Sequence, residues 1–131
     1  MASSVFTTAT LRDAPPADDS PFLVVALCAA WCDTRGQFRE AFERIAAADA
    51  RGTYVWLDIE DDSALAGDID VENFPTLAVF REGEPLFYGV TLPQEGLVQR
   101  TLESLAATDA RVVEVPDEVA SLPGDLRSLQ A

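Results

Sequence analysis

The fold is decided by the stretch Ala29-Ala30-Trp31-Cys32-Asp33-Thr34-Arg35, which joins an apolar run to a helical pattern. The run before it, residues 22–28, is continuously apolar, as in a strand that is covered on both faces. Cys32 is therefore predicted at the N-terminus of a helix. Unpaired backbone N–H groups and the helix dipole stabilise an anion there, so the thiol is expected to ionise more easily than that of a free cysteine.

The residues after this stretch follow helical spacing as far as position 50. Apolar side chains recur three and four positions apart, on the face that should pack against a sheet. They are Phe38, Ala41, Phe42, Ile45 and Ala46. Arg51-Gly52 is predicted to end the helix, and a β-rich strand is predicted over 53–60, with Trp56 in the core.

The second half of the chain predicts a β-hairpin followed by a helix. Strands are expected over 76–80 and 85–90, joined by a turn at 82–84. A helix then starts at Pro93. Its buried face is predicted to hold Leu97, Val98, Thr101, Leu102 and Leu105. With a short edge strand at 4–8, this order predicts an α/β fold in which a mixed central β-sheet is flanked by helices.

The last 20 residues read as an extension of a single domain. A chain of 131 residues has the length of one domain, which we place at 1–111. In 112–131, helix-like spacing is interrupted at Pro123-Gly124; the apolar positions are Val119, Leu122, Leu126 and Leu129. We expect this extension to pack on the domain or on a partner.

Charge and composition exclude several classes of function. The net charge of −14, from 23 acidic and 9 basic residues, disfavours nucleic acid and anionic membranes as partners. The chain has no histidine, which removes Ser-His-Asp and Cys-His catalysis and the commonest metal ligand. With two cysteines and no glycine-rich phosphate loop, neither a metal site nor a cofactor is expected.

The sequence also predicts a location. No stretch approaches the ~20 apolar residues of a membrane helix. Residues 1–20 show no basic start followed by an apolar segment, so no secretory signal is expected. These features favour the cytoplasm, where both cysteines would stay reduced.

Over residues 4–108, the chain resembles the thioredoxin family. Its apolar strand leads into Ala-Ala-Trp-Cys, and a helix follows the cysteine. The motif Asn73-Phe74-Pro75-Thr76 opens a strand, with Pro75 43 positions after Cys32. A hairpin then leads through Tyr88-Gly89-Val90 into a C-terminal helix. This resemblance implies a thioredoxin-like fold.

The resemblance also implies a docking groove for a protein partner. In the family, the proline that matches Pro75 is cis and lies against the active-site cysteine. The backbone at Phe74 would bind an extended segment of the partner, as in strand addition. Gly89 would leave room beside it. The groove residues implied are Trp31, Phe74, Pro75, Thr76 and Gly89.

Three departures from the family pattern bear on activity. Arg35 replaces the second cysteine of the family's Cys-Gly-Pro-Cys motif. The family's buried acidic residue, which manages the proton of that cysteine, falls at Ala26, and an aromatic usually stands at Cys28. These changes argue against ordinary dithiol reductase activity and leave the fold assignment intact.

The remaining chemistry is that of a single thiol. Cys32 is the candidate nucleophile for a mixed disulfide, and Arg35 would stabilise its thiolate while Asp33 would oppose this. Glutathione or another outside thiol would release the product, or Cys28 would, if it lies close enough for a disulfide. Alternatively, Cys28 is a buried hydrophobe and Arg35 a solvated residue paired with an acid such as Glu72. A further hypothesis is a non-catalytic binding or assembly module that uses the same groove.

Overall fold

The computed structural model describes residues 5–7, 22–28, 35–48, 52–58, 76–82, 84–90, 95–105 and 112–128. Its centre is a five-stranded sheet with the strand order β1-β3-β2-β4-β5. The strands are β1 (Val5–Phe6), β2 (Phe22–Cys28), β3 (Gly52–Asp58), β4 (Thr76–Arg81) and β5 (Glu84–Val90). The first three pair in parallel, whereas β4 runs antiparallel to β2 and β5. The predicted mixed sheet is confirmed.

Four helices accompany the sheet within the described ranges. They are α1 (Arg35–Ala48), α2 (Glu95–Leu105), α3 (Asp117–Ala120) and α4 (Leu122–Ser128). None of them is long and apolar enough to cross a membrane. The predicted short strand at 4–8 is present as β1, and the predicted hairpin is present as β4 and β5.

The assignment of Gly52 to the end of the first helix was wrong. Gly52 is the first residue of β3 and pairs with Phe22 of β2. A Cβ at this position would lie 3.1 Å from the ring of Tyr54 and 3.6 Å from Phe22 Cβ. The strand therefore starts one residue earlier than predicted, at a position where the crowding favours glycine.

One face of the sheet is covered by α1 and α2, and we call this the first core cluster. All five apolar positions predicted for α1 are buried in the fold, together with Val98 and Leu102 of α2. The rings of Phe38 and Phe42 pack against Trp56, with centroids 5.7 and 6.1 Å away. Phe42 also meets Tyr54 edge to face at 5.4 Å. The core assignments of Phe38, Phe42 and Trp56 are confirmed.

The placement of Leu97 on the buried face of α2 was wrong, because Leu97 is 38% exposed. Val98 and Leu102, one turn apart, define the stripe that faces the core. Leu97 lies about 100° around the helix from Val98. Thr101 shares that side of the helix and donates its hydroxyl to the Leu97 carbonyl at 3.0 Å.

The opposite face of the sheet packs against the C-terminal helices, forming the second core cluster. Val119, Leu122 and Leu126 are buried among side chains of β2, β3 and β4. Before these helices, the backbone N–H of Val113 donates to the carbonyl of Pro85 in β5 at 2.9 Å. Residues of the extension thus complete the hydrophobic core of the same fold.

The break in the C-terminal helical pattern lies at Ser121, and not at Pro123-Gly124 as expected. Pro123 is the second residue of α4. Proline is tolerated in the first turn of a helix, because the N–H that it lacks has no intrahelical acceptor there. The apolar pattern of residues 119–126 is therefore carried by two short helices.

Candidate functional site at the carboxyl end of the central strands

Half of the predicted site residues lie outside the described residues. These are Trp31, Cys32, Phe74 and Pro75, together with Glu72. The backbone is described for Cys28, which ends β2, and for Arg35, which begins α1. Cys32 therefore belongs to the connection between the end of a central strand and the start of the helix that covers it. Its position on the helix N-terminus stays a prediction.

Thr76, the last residue of the Phe-Pro-Thr motif, lies at the same end of the sheet as Cys28. It is the first residue of β4, it is buried, and it pairs with Leu27 of β2. Leu27 directly precedes Cys28, so the residue that follows Pro75 lies beside the chain leading into Cys32. The contact of Pro75 with Cys32 that the resemblance implies stays a prediction.

Gly89 lies in β5 and pairs with Leu77, the residue after Thr76. A Cβ at Gly89 would meet only the ring of Phe87, at 3.6 Å, which is ordinary van der Waals contact. The described packing therefore accommodates a side chain at this position. If glycine is required at position 89, the requirement comes from a partner that binds beside β5.

Ala26 stands at the position of the family's buried acidic residue. It is fully buried and pairs with Trp56 of β3 and Leu77 of β4. All three belong to the first core cluster. A carboxylate at this position would lose its hydration among apolar neighbours, so the alanine matches its surroundings.

Arg39 and Trp56 form the polar edge of this cluster. The guanidinium carbon of Arg39 lies 5.1 Å from the centre of the Trp56 ring, a cation–π contact. Arg39 Nε also lies 3.7 Å from Glu43 Oε1 on the next turn of α1. The indole Nε1 is buried and, among the described residues, has no hydrogen-bond partner. The cation–π contact fixes the first turns of α1 over β3.

Asp58 is a residue that the sequence reasoning missed. It ends β3, pairs with Cys28 in the parallel register, and is only 5% exposed. The sequence analysis assigned it no role. The sequence signal for Asp58 is a charged residue at the end of a strand, where that strand is expected to pair with a central apolar strand. In the described ranges, no three His, Cys, Asp or Glu residues lie close enough to hold a metal ion.

Three comparisons with known proteins agree on the fold. The thioredoxin family model matches residues 6–103. Bovine protein disulfide-isomerase A4 is 29% identical over 89 residues, which cover 65% of this chain and 14% of that protein. Its whole length is thus about seven times the matched part.

Solved structures show the same likeness at low sequence identity. A mutant thioredoxin from Halobacterium salinarum superposes with a TM-score of 0.61 at 23% identity, covering 87% of this chain and 99% of that one. Human ERp44 gives 0.61 at 16% identity, covering 82% of this chain and 30% of that one. Spinach chloroplast thioredoxin f also gives 0.61, at 15% identity, covering 79% and 85%. The chain therefore belongs to the thioredoxin family and has a thioredoxin fold.

Proposed function

We propose that the protein carries out thiol–disulfide exchange through one nucleophilic thiol, Cys32, and forms mixed disulfides with protein partners. The observation that carries this proposal is the position of Cys32. It lies between the last residue of a central strand and the start of α1 in a thioredoxin-family domain. The residue three positions on is Arg35, so the second thiol of the family motif is absent.

The proposed reaction has two steps. The Cys32 thiolate attacks one sulfur of a partner disulfide, a new S–S bond forms, and the other partner sulfur leaves as a thiolate. A small thiol such as glutathione then attacks the mixed disulfide and restores Cys32. The start of α1 and the Arg35 guanidinium would stabilise the attacking thiolate. Both cysteines begin as thiols, the state that the cytoplasm maintains.

The proposed docking groove consists of Trp31, Phe74, Pro75, Thr76 and Gly89. Two of its members have described positions, Thr76 next to Leu27 and Gly89 opposite Leu77, on neighbouring strands at one end of the sheet. An extended segment of a partner fits such a site by strand addition. The name of the bovine relative, a protein disulfide-isomerase, supports a protein disulfide as the substrate class.

A direct test exposes the reduced protein to glutathione disulfide and measures the intact mass. Wild type and Cys28→Ser should each gain one glutathione, located on Cys32 by peptide mapping. Cys32→Ser should gain none under the same conditions. Equal modification of Cys32→Ser and wild type would contradict the assignment of Cys32 as the nucleophile.

A second candidate function is a non-catalytic binding module that uses the same groove. Ala26 favours it, because this fully buried alanine stands where the family keeps a proton-handling acid. In this case the thiol is incidental, and Cys32→Ser keeps full biological activity. Loss of that activity in Cys32→Ser would reject the binding module and support exchange.

A further inference from the structure

We propose that the run Val112-Val113-Glu114-Val115 is a docking edge for a partner protein, and that it takes an extended segment in which lysine or arginine alternates with apolar residues. We call this run the valine edge. The inference goes beyond thiol–disulfide exchange, since it involves neither cysteine and none of the residues of the proposed groove.

The valine edge lies along the outer side of the sheet. β5 is the last strand in the sheet order, so β4 is its neighbour on one side only. On the other side, the backbone N–H of Val113 donates to the carbonyl of Pro85 at 2.9 Å. Residues 112–116 contain no helix, turn or bend, so the chain is extended there. The valine edge therefore continues the sheet outward beside the first residues of β5.

The backbone of the valine edge is available for pairing. In an extended chain, the N–H and C=O groups of successive residues alternate in direction. Val113 turns its N–H toward β5, so the groups of Val112 and Glu114 face away from it. Among the described residues, no backbone partner is found for these outward groups. A sheet edge with unpaired N–H and C=O groups is a template for strand addition.

Two side chains of the valine edge are apolar and exposed. Val112 is 54% exposed and Val113 39%; within the described ranges, the other large hydrophobic residue of this kind is Leu97 on α2. Val115 is half-buried against the second core cluster and anchors the run. A partner that covers Val112 and Val113 removes their apolar surface from water, which favours binding.

Exposed carboxylates on and beside the valine edge determine which partner fits. They are Glu82, Glu84, Glu114 and Asp117. Arg81 of the same hairpin is turned away toward β2, with its guanidinium carbon 5.9 Å from the centre of the Phe22 ring. Arg111, which precedes the run, lies outside the described residues. A segment that carries lysine or arginine is therefore attracted to this surface.

The same charges disfavour a second copy of this chain as the occupant. Pairing of two valine edges would bring two sets of these carboxylates together, and the whole chain carries a net charge of −14. Like charges placed opposite each other cost binding free energy, whereas opposite charges favour and orient a bound segment. Charged residues at a sheet edge also prevent pairing between identical edges. The carboxylates thus disfavour self-pairing and favour a basic partner.

The experiment measures binding of a fluorescent peptide to the whole chain by anisotropy. The probe alternates lysine with valine and contains no cysteine, so disulfide exchange cannot contribute. One reference peptide has glutamate at every lysine position, and the other has serine at every valine position. The lysine–valine peptide should bind at least about tenfold more tightly than either reference, because charge and apolar burial both contribute. Its affinity should fall as the salt concentration rises.

Variants of the chain locate the bound peptide. Val112→Ser combined with Val113→Ser should weaken binding at least about fivefold, and Glu114→Lys should do the same at low salt. Leu97→Ser and Glu103→Lys make the same changes at exposed positions of α2 and should leave binding unchanged. If the double valine variant does not fold, Glu114→Lys against Glu103→Lys decides, since both change only an exposed side chain.

Three outcomes would overturn the valine edge as a docking surface for a basic segment. The first is equal binding of the lysine–valine peptide and either reference peptide. The second is a loss of binding in the α2 variants that equals the loss in the valine-edge variants. The third is a wild-type dimer, seen by sedimentation, that the double valine variant dissociates, because the occupant would then be a second copy. None of these outcomes bears on the exchange proposal, which the reaction of Cys32 with glutathione disulfide tests.

Discussion

At the residue scale, Ala26 stands where the family has a buried acid, and the packing around it suits an apolar side chain. Ala26 pairs with the large indole of Trp56 on one side and with Leu77 on the other. These apolar neighbours limit both the size and the polarity of the side chain that fits at position 26. The resemblance to the family identifies position 26 as the place of the buried acid. The strand register shows that Ala26 has Trp56 and Leu77 as its neighbours.

Ala26→Asp should destabilise the fold by at least about 2 kcal/mol, because a carboxylate there would be buried without compensation. Urea unfolding measures the change. Ala47→Asp, the same substitution at an exposed position of α1, is the control and should cost less than about 1 kcal/mol. Equal stability of the two variants would show that position 26 tolerates a charge.

Gly89→Ala separates docking from packing. The described neighbours leave room for a Cβ, so the free energy of unfolding should change by less than about 1 kcal/mol. If Gly89 keeps the groove open, the rate at which Cys32 reacts with a peptide disulfide should fall, while the rate with a small aryl disulfide stays the same. A parallel loss of both rates would argue against a role specific to docking.

At the element scale, the contact between Arg39 and Trp56 adds to the packing of Phe38 and Phe42 that joins α1 to β3. Cation–π contacts contribute about 0.5–2 kcal/mol, and a partly exposed ion pair such as Arg39–Glu43 contributes about 0.3–0.5 kcal/mol. Arg39→Met should therefore cost about 1 kcal/mol in urea unfolding, and Glu43→Gln less than half of that. Arg100→Met, on the exposed side of α2, is the control and should be nearly neutral. Equal effects of Arg39→Met and Arg100→Met would remove the anchoring role.

Element boundaries show where sequence reasoning was sufficient and where it was not. Helical spacing located every buried apolar position of α1, since one helix against one sheet face gives a single stripe. It failed at Leu97, which lies beside the buried stripe of Val98 and Leu102 and is 38% exposed. Helical spacing also misplaced two boundaries. Gly52 starts β3 because it pairs with Phe22. The break between α3 and α4 lies at Ser121, because proline is tolerated at position 123 in the first turn of α4.

The candidate site was predictable only in part. Motif and spacing identified the cysteine segment and the Phe-Pro-Thr segment. Of these, the described Thr76 pairs with Leu27, the residue before Cys28. The pairing of Asp58 with Cys28 is not visible in a local motif, because it depends on the parallel register of two strands that a helix separates.

At the scale of the whole molecule, the C-terminal residues are part of the core. Val119, Leu122 and Leu126 cover the face of the sheet opposite α1 and α2. Val25, Val55 and Phe80, one from each of the three central strands, are buried in the same cluster. The fold therefore depends on residues that lie beyond the segment matched by the family model.

Leu122→Ala should cost about 2–5 kcal/mol, the range for a leucine truncated in a packed core, because Leu122 is fully buried. Thermal or urea unfolding measures the loss. Leu97→Ala, the same change at a partly exposed position of α2, should cost much less. Similar costs for the two variants would show that the C-terminal helices contribute little to the core.

The central claim is that Cys32 is an activated thiol, and the pH dependence of its alkylation tests this most directly. Iodoacetamide modification of Cys28→Ser, followed by mass spectrometry, reports Cys32 alone. The helix N-terminus and Arg35 predict a thiol pKa clearly below the free value of about 8.5, and the pKa should rise in Arg35→Ala. A pKa at or above about 8.5 that does not respond to Arg35→Ala would contradict the account.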